Sequence, residues 1–173
     1  IGLVQVGLGL LLGLHDPGLA PRALAAMAWA VVADVPRFLL APFHRRRHLR
    51  WGATPADVAA TMPGDDTLPE ASYVATRAVD IAAPPEAVWP WIVQMGAARA
   101  GWYSDDLLDN AGRPSADVIR PEWQQVARGG IVSMSPRTPP PPGTYFVVDS
   151  FEEPHWLLWS KADSVWSWRL APR

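Results

Sequence analysis

The chain has 173 residues, a net charge of −2, no cysteine, nineteen prolines and ten tryptophans. Without cysteine it forms no disulfide and no thiolate metal site, and its length suits one ordinary domain with an appendage. The charge is unevenly divided: residues 1–50 carry six arginines against two aspartates, and residues 51–173 nine basic against fifteen acidic side chains. An acidic main domain with scattered positive charge is a poor nucleic-acid binder, which sets that class aside.

Residues 1–14, IGLVQVGLGLLLGL, are almost wholly apolar, and HDPGLAPR then interrupts the run. A second apolar stretch, ALAAMAWAVVADVPRFLLAPF (23–43), reaches the roughly 20 residues that a bilayer demands. It contains Asp34, Pro36 and Arg37, and a charge at mid-membrane is costly. HRRRHLR (44–50) follows directly. Arginines flanking an apolar segment hold that side in the cytoplasm. Residues 1–50 are therefore expected to be a hydrophobic helical segment with a basic flank. Residues 1–43 would attach the protein to a membrane and leave the main domain cytoplasmic. The plainer alternative is a pair of buried or surface-lying helices. A secretory signal fits poorly, because the basic cluster follows the apolar run.

Residues 51–72 read as a short helix and linker. Thr54 is placed as N-cap and Pro55 as the first helical residue, with Pro63-Gly64 closing the turn and a domain boundary near residue 70. The main domain is then 73–173. Within it YVATRAVDIA (73–82) alternates, with Val79 and Ile81 on one face, as in a half-buried strand. APPEAVWPWIVQMG (83–96) reads as a helix. Proline pairs suit a helix start, Glu86 complements the dipole, and Val88, Trp91, Ile92 and Met95 form an apolar stripe. Pro90 removes the hydrogen bond to the Glu86 carbonyl and should bend the helix; Gly96 ends it.

A long loop-like segment (96–123) comes next, with a short helix near 104–110 capped by Ser104. Connections of that length are usually functional or mobile. GGIVSMSP (129–136) reads as a strand and RTPPPPGT (137–144) as a stiff polyproline turn. Three antiparallel strands follow, at 144–153, 155–162 and 164–171. In the last of them Trp166, Trp168 and Leu170 share a face. The chain opens at Ile1 and stops at WSWRLAPR without a closing turn or helix, so it is expected to be a fragment of a longer protein.

The order strand, helix, long insertion and strand meander resembles the START-like (SRPBCC, polyketide cyclase/dehydrase-like) helix-grip superfamily. TRAVDIAAPPEAVWPWIVQMG (76–96), GWYSDDLLDN (101–110) and the tryptophan-rich strands from Tyr145 to Leu170 carry the resemblance. RWGATPADVAATMPGD (50–65) is similar to the linker of a subgroup with a hydrophobic N-terminal segment. At position 105 this chain has Asp105 where the family pattern often has an aromatic. The resemblance implies an α+β fold in which a curved antiparallel sheet grips a C-terminal helix over an apolar cavity. Here that helix would be missing. It implies a hydrophobic small molecule or lipid as partner, with Trp89, Ile92, Trp102, Tyr103, Trp166 and Trp168 as cavity wall.

Catalytic signatures are sparse. Asp105, Asp106, Asp109 and Asn110 form the best polar cluster. Asp105 and Asp109 would share a helix face, as acid–base work or hard-cation binding needs; the plainer reading is a solvated helix start. Tyr103 and Arg99 could polarise a carbonyl, as a cyclase or dehydratase requires, or Trp102 and Tyr103 could simply anchor the loop to the core. His44 and His48 are four apart but lie in the basic flank, and His155 opens a strand. No metal motif, nucleotide-binding loop or nucleophile elbow is present, and no cofactor is expected. The sequence thus favours a membrane-tethered binder of a lipophilic molecule, with an enzyme of the same fold or a non-catalytic interaction domain as alternatives.

Overall fold

The computed structural model describes residues 35–36, 39–40 and 42–172. The apolar run 1–14 and most of 23–43 lie outside the described residues. No helix among the described residues is long and apolar enough to cross a membrane. The chain divides into two compact units, Ile1–Thr54 with Ala75–Ala78, and Pro55–Val74 with Val79–Arg173.

In the first unit, helical residues 42–49 run into a turn at 50–51. Gly52 follows at φ +70°, where a Cβ would lie 2.0 Å from the Ala78 carbonyl oxygen. Only glycine tolerates both the left-handed backbone and that approach. The Thr76 N–H donates to the Leu49 carbonyl (2.9 Å) and the Ala78 N–H to the Trp51 carbonyl (3.1 Å). The expected strand at 73–82 does not form: these residues join no sheet, and Val79 and Ile81 are 67% and 52% exposed. Alternation specifies two faces but supplies no neighbouring strand, and a strand needs one to satisfy its backbone. Here the carbonyls of residues 49 and 51 take up those N–H groups instead.

The second unit is α+β. Helix α1 (Pro55–Ala59) opens on proline, as its sequence predicts, and carries Asp57 in its first turn. Beyond it, Gly64 sits at φ +91°, and a Cβ there would meet Leu158 Cδ1 at 2.5 Å. Helix α2 (Pro85–Val93) starts after Pro84, which is extended (φ −71°, ψ 157°), keeps Pro90 inside, and gives way at Gln94. Its buried stripe is Trp89, Ile92 and Val93, with Met95 just beyond. Of the expected stripe, Ile92 and Met95 are buried, while Trp89 and Val93, one helical turn apart, take the places the sequence reading gives to Val88 and Trp91. Val88 is only partly buried at its margin. Helix α3 is a single turn, Asp106–Asp109, and a 3₁₀ turn covers Pro121–Trp123.

Strands β1 (Ile131–Ser133), β2 (Tyr145–Glu152), β3 (Trp156–Lys161) and β4 (Ser164–Arg169) form an open antiparallel sheet in the order β1-β2-β3-β4. All four were legible as strands. The β3–β4 hairpin turns on two residues, since Lys161 pairs with Ser164. Period-2 alternation puts Val132, Phe146, Val148, Leu157 and Trp159 on one face. That face packs against Trp89, Ile92, Val93 and Met95 to form the core.

Candidate functional site

The register sets an aromatic wall beside this core. Trp159 pairs with Trp166 and Leu157 with Trp168 across β3 and β4, so all four side chains share a face, as expected for Trp166 and Trp168. Trp102, from the segment after α2, meets Trp159 at 6.3 Å and Trp166 at 5.8 Å between ring centroids. Phe146 lies 5.0 Å from Trp166, and Trp168 lies 5.7 Å from Trp159. Tilted and edge-on contacts of this kind are favoured by the ring quadrupoles. Trp159 is 1% exposed, yet Trp166 is 42% exposed. The buried indole N–H groups of Trp159 and Trp168 have no protein acceptor, an uncommon state for buried donors.

Of the residues expected to wall a ligand cavity, Trp89 and Ile92 are instead packed into the core between α2 and the sheet. The hollow there, bordered by Val93, Arg99, Val126, Val132 and Trp159, measures about 40 Å³. It holds water at most, since ligand pockets run to roughly 300–1,000 Å³. Trp102, Trp166 and Trp168 form the accessible aromatic wall.

Tyr103 belongs to a different cluster. It stands in the left-handed region (φ 54°), packs edge-on to Trp91 at 5.8 Å, and its hydroxyl accepts from the Gln94 amide. Gln94 is fully buried. Its amide NH₂ also donates to the Val118 carbonyl (3.2 Å), and its oxygen accepts from the Arg120 N–H (3.0 Å) and the Gln124 side chain (3.2 Å). Both donors and both lone pairs are thereby used. Arg99 donates to the Trp123 carbonyl, and burial lowers its pKa from the ordinary guanidinium value. The Tyr103 hydroxyl and the Arg99 guanidinium are thus held by separate partners, and no hydrogen bond joins them.

The carboxylate cluster is arranged one residue away from its expected register. The i, i+4 pair that interacts is Asp106 and Asn110, at 2.6 Å, while Asp105 and Asp109 are exposed. The Ser104 hydroxyl donates to the Asp109 carboxylate instead of capping the helix. Asn110 is 1% exposed; its oxygen accepts from the Trp102 N–H (3.1 Å) and its amide donates to Ser115 (2.9 Å). Gly101, at φ +85°, lies so close that a Cβ would be 2.6 Å from both Asn110 and Ser115. Ser115 donates its hydroxyl (2.6 Å) and its N–H (3.1 Å) to Asp106. The cluster is a loop clasp, and no group of three or more metal-ligating side chains occurs among the described residues.

Hydrogen bonds from Ser115, seconded by Asn110, hold the Asp106 carboxyl below the usual carboxylate range. Because the folded-state pKa is depressed, the stabilisation is complete above the unfolded value of about 3.9 and is lost as pH falls through the folded value. Melting temperatures measured from pH 7 down to pH 2 should therefore drop more steeply at the acid end for the parent than for Asp106→Asn. Parallel curves would refute the clasp as a source of acid sensitivity.

Sequence reasoning missed Gln94, Ser115, Gln124 and Trp159. Gln94 carried a usable signal, because a lone amide one turn after Pro90 closes an otherwise apolar helix. The fold and its aromatic wall define an α+β domain on an open four-stranded antiparallel sheet. No family model, curated protein or solved structure matches the chain.

Proposed function

We propose that this chain is a non-catalytic binding module of START-like, helix-grip kind. It takes a lipophilic small molecule against the Trp102–Trp166–Trp168 wall, and residues 1–43 tether it to the cytoplasmic face of a membrane. The observation that carries the reading is the half-open Trp166 ring packed against Trp159 and Trp168, whose buried indole N–H groups have no acceptors. A large aromatic left 42% exposed within a cluster of four others is surface available for a partner. A ligand with an apolar body and one oxygen acceptor would cover that ring and satisfy one of those donors. The cyclase or dehydratase alternative has less support, because Tyr103 and Arg99 each serve an internal partner.

The test uses the full chain and cis-parinaric acid, a fluorescent fatty acid, read by energy transfer from tryptophan. Binding should saturate near one molecule per chain, and Trp166→Ala should weaken it about tenfold with little change in melting temperature. Before that, the protein should sediment with membranes until detergent is added. Unsaturable binding, or a Trp166→Ala variant that binds like the parent, overturns the ligand reading; recovery without detergent overturns the tether.

A further inference from the structure

A second feature lies in the other unit. His44, Arg47 and His48 stand at i, i+3 and i+4, the spacing of one helix face, and Trp51 follows in the turn after that helix. Arg77 is brought to the same place from a distant part of the chain. Its neighbours Thr76 and Ala78 are fastened to Leu49 and Trp51 by backbone hydrogen bonds, and its Nε donates to the His48 carbonyl at 3.2 Å. These five side chains border an open pocket of about 470 Å³, within the range of small-molecule sites. Gly52 is the joint that permits it, since any Cβ there would collide with Ala78.

The lining is chemically one-sided. Among the described residues it offers two guanidinium groups, two imidazoles and one indole, and no carboxylate. Among the described residues, neither Arg47 nor Arg77 is in an ion pair. The bond to His48 fixes the Arg77 fork and leaves its outer nitrogens for another acceptor. Guanidinium pairs recognise tetrahedral oxyanions by parallel charge-assisted hydrogen bonds, and Trp51, 59% exposed, supplies a flat apolar side. Just before the pocket, Leu39 and Phe43 are 65% and 83% exposed.

We infer that this pocket binds a phosphate group carried on a molecule with an apolar or ring-bearing portion, the phosphate held by Arg47 and Arg77 and the remainder lying on Trp51. The site is separate from the aromatic wall and does not rest on the reading given above.

Two arms test it with the full chain. One titrates inorganic phosphate calorimetrically at low salt; the other measures co-flotation with phosphatidylcholine vesicles with and without phosphatidic acid. Arg47→Gln should weaken binding about tenfold in whichever arm responds. Arg77→Gln should do the same; because Arg77 also braces His48, Arg47→Gln is the deciding variant. Arg46→Gln removes the same charge outside the pocket and should change affinity less than about twofold. A gain in flotation on adding phosphatidic acid, with no response to inorganic phosphate, identifies a lipid headgroup, and response to inorganic phosphate a site open to soluble phosphates; either supports the site, whereas flotation equal on both vesicles counts as silence. Silence in both arms, or equal losses for Arg46→Gln and Arg47→Gln, overturns it, the latter because a diffuse basic surface would then account for the binding.

Discussion

Replacing Gln94 with leucine is expected to destabilise the sheet-bearing unit by roughly 2–4 kcal/mol. The substitution keeps the volume nearly constant, so the loss is one of hydrogen bonding. Gln94 is fully buried and joins α2 to Tyr103, Val118, Arg120 and Gln124. Leucine would leave the Val118 carbonyl and the Arg120 N–H without this partner, while Gln124 keeps the Pro90 and Arg120 carbonyls; each buried group left unmade costs about 1–3 kcal/mol. Part is recovered by movement of the exposed partners, hence the lower end of the range. Glutamate at this position can still accept from Arg120 and Gln124 but, when ionised, cannot donate to Val118 and buries a charge, so Gln94→Glu should be at least as unstable as the leucine variant at neutral pH and recover as the pH falls and the carboxyl is protonated. Urea unfolding followed by tryptophan emission measures both. A leucine variant within about 0.5 kcal/mol of the parent would mean that the 96–124 segment is not held through this amide.

Trp159→Ala is expected to cost about 3–5 kcal/mol, the range for emptying a large aromatic site in a core. The residue is 1% exposed and contacts Trp102, Trp166 and Trp168 together, so no single neighbour can collapse into the space. Trp159→Phe separates packing from polarity. The indole N–H has no protein acceptor, so phenylalanine loses volume but no internal hydrogen bond and should cost less than half as much. An alanine variant as stable as the phenylalanine one would show that the wall closes over the void and is softer than its packing indicates.

What the sequence revealed divides along a physical line. The strands β1 to β4 and helices α1 and α2 were readable because their signals are local: alternation, a proline at a helix start, a two-residue turn. The side that Trp166 and Trp168 share follows from the same periodicity. Residues 73–82 misled for the opposite reason. Their alternation is as regular as that of β4, but pairing depends on a partner elsewhere in the chain, and Thr76 and Ala78 found the carbonyls after a helix. Half of the α2 stripe was legible, Ile92 and Met95; Trp89 took the place expected for Trp91 because the two are equally apolar, and the sheet against which they compete is not visible from the helix alone. The Asp106–Asn110–Ser115 clasp escaped for want of any sequence rule linking a short helix to a serine beyond it. Arg77 shares that fate, drawing its meaning from a carbonyl 29 positions away, whereas Gln94 was marked by its place at the end of an apolar helix and only its partners were hidden.

Among the described residues strand β4 is bonded on one side only, because the sheet order ends with it. In an antiparallel edge strand alternate amides point inward to the neighbouring strand and outward to the medium. The amide protons of residues 164–169 therefore fall into two kinetic populations, one exchanging with solvent only when the β3–β4 hairpin opens, the other exchanging from the native state. The second set is also a row of outward donors beside the most exposed tryptophan of the wall, with Arg169 at one end of the row and the Lys161–Asp163 ion pair at the other. In an in-register parallel docking along this edge the Arg169 charge of one copy would meet that of the next, which opposes that arrangement.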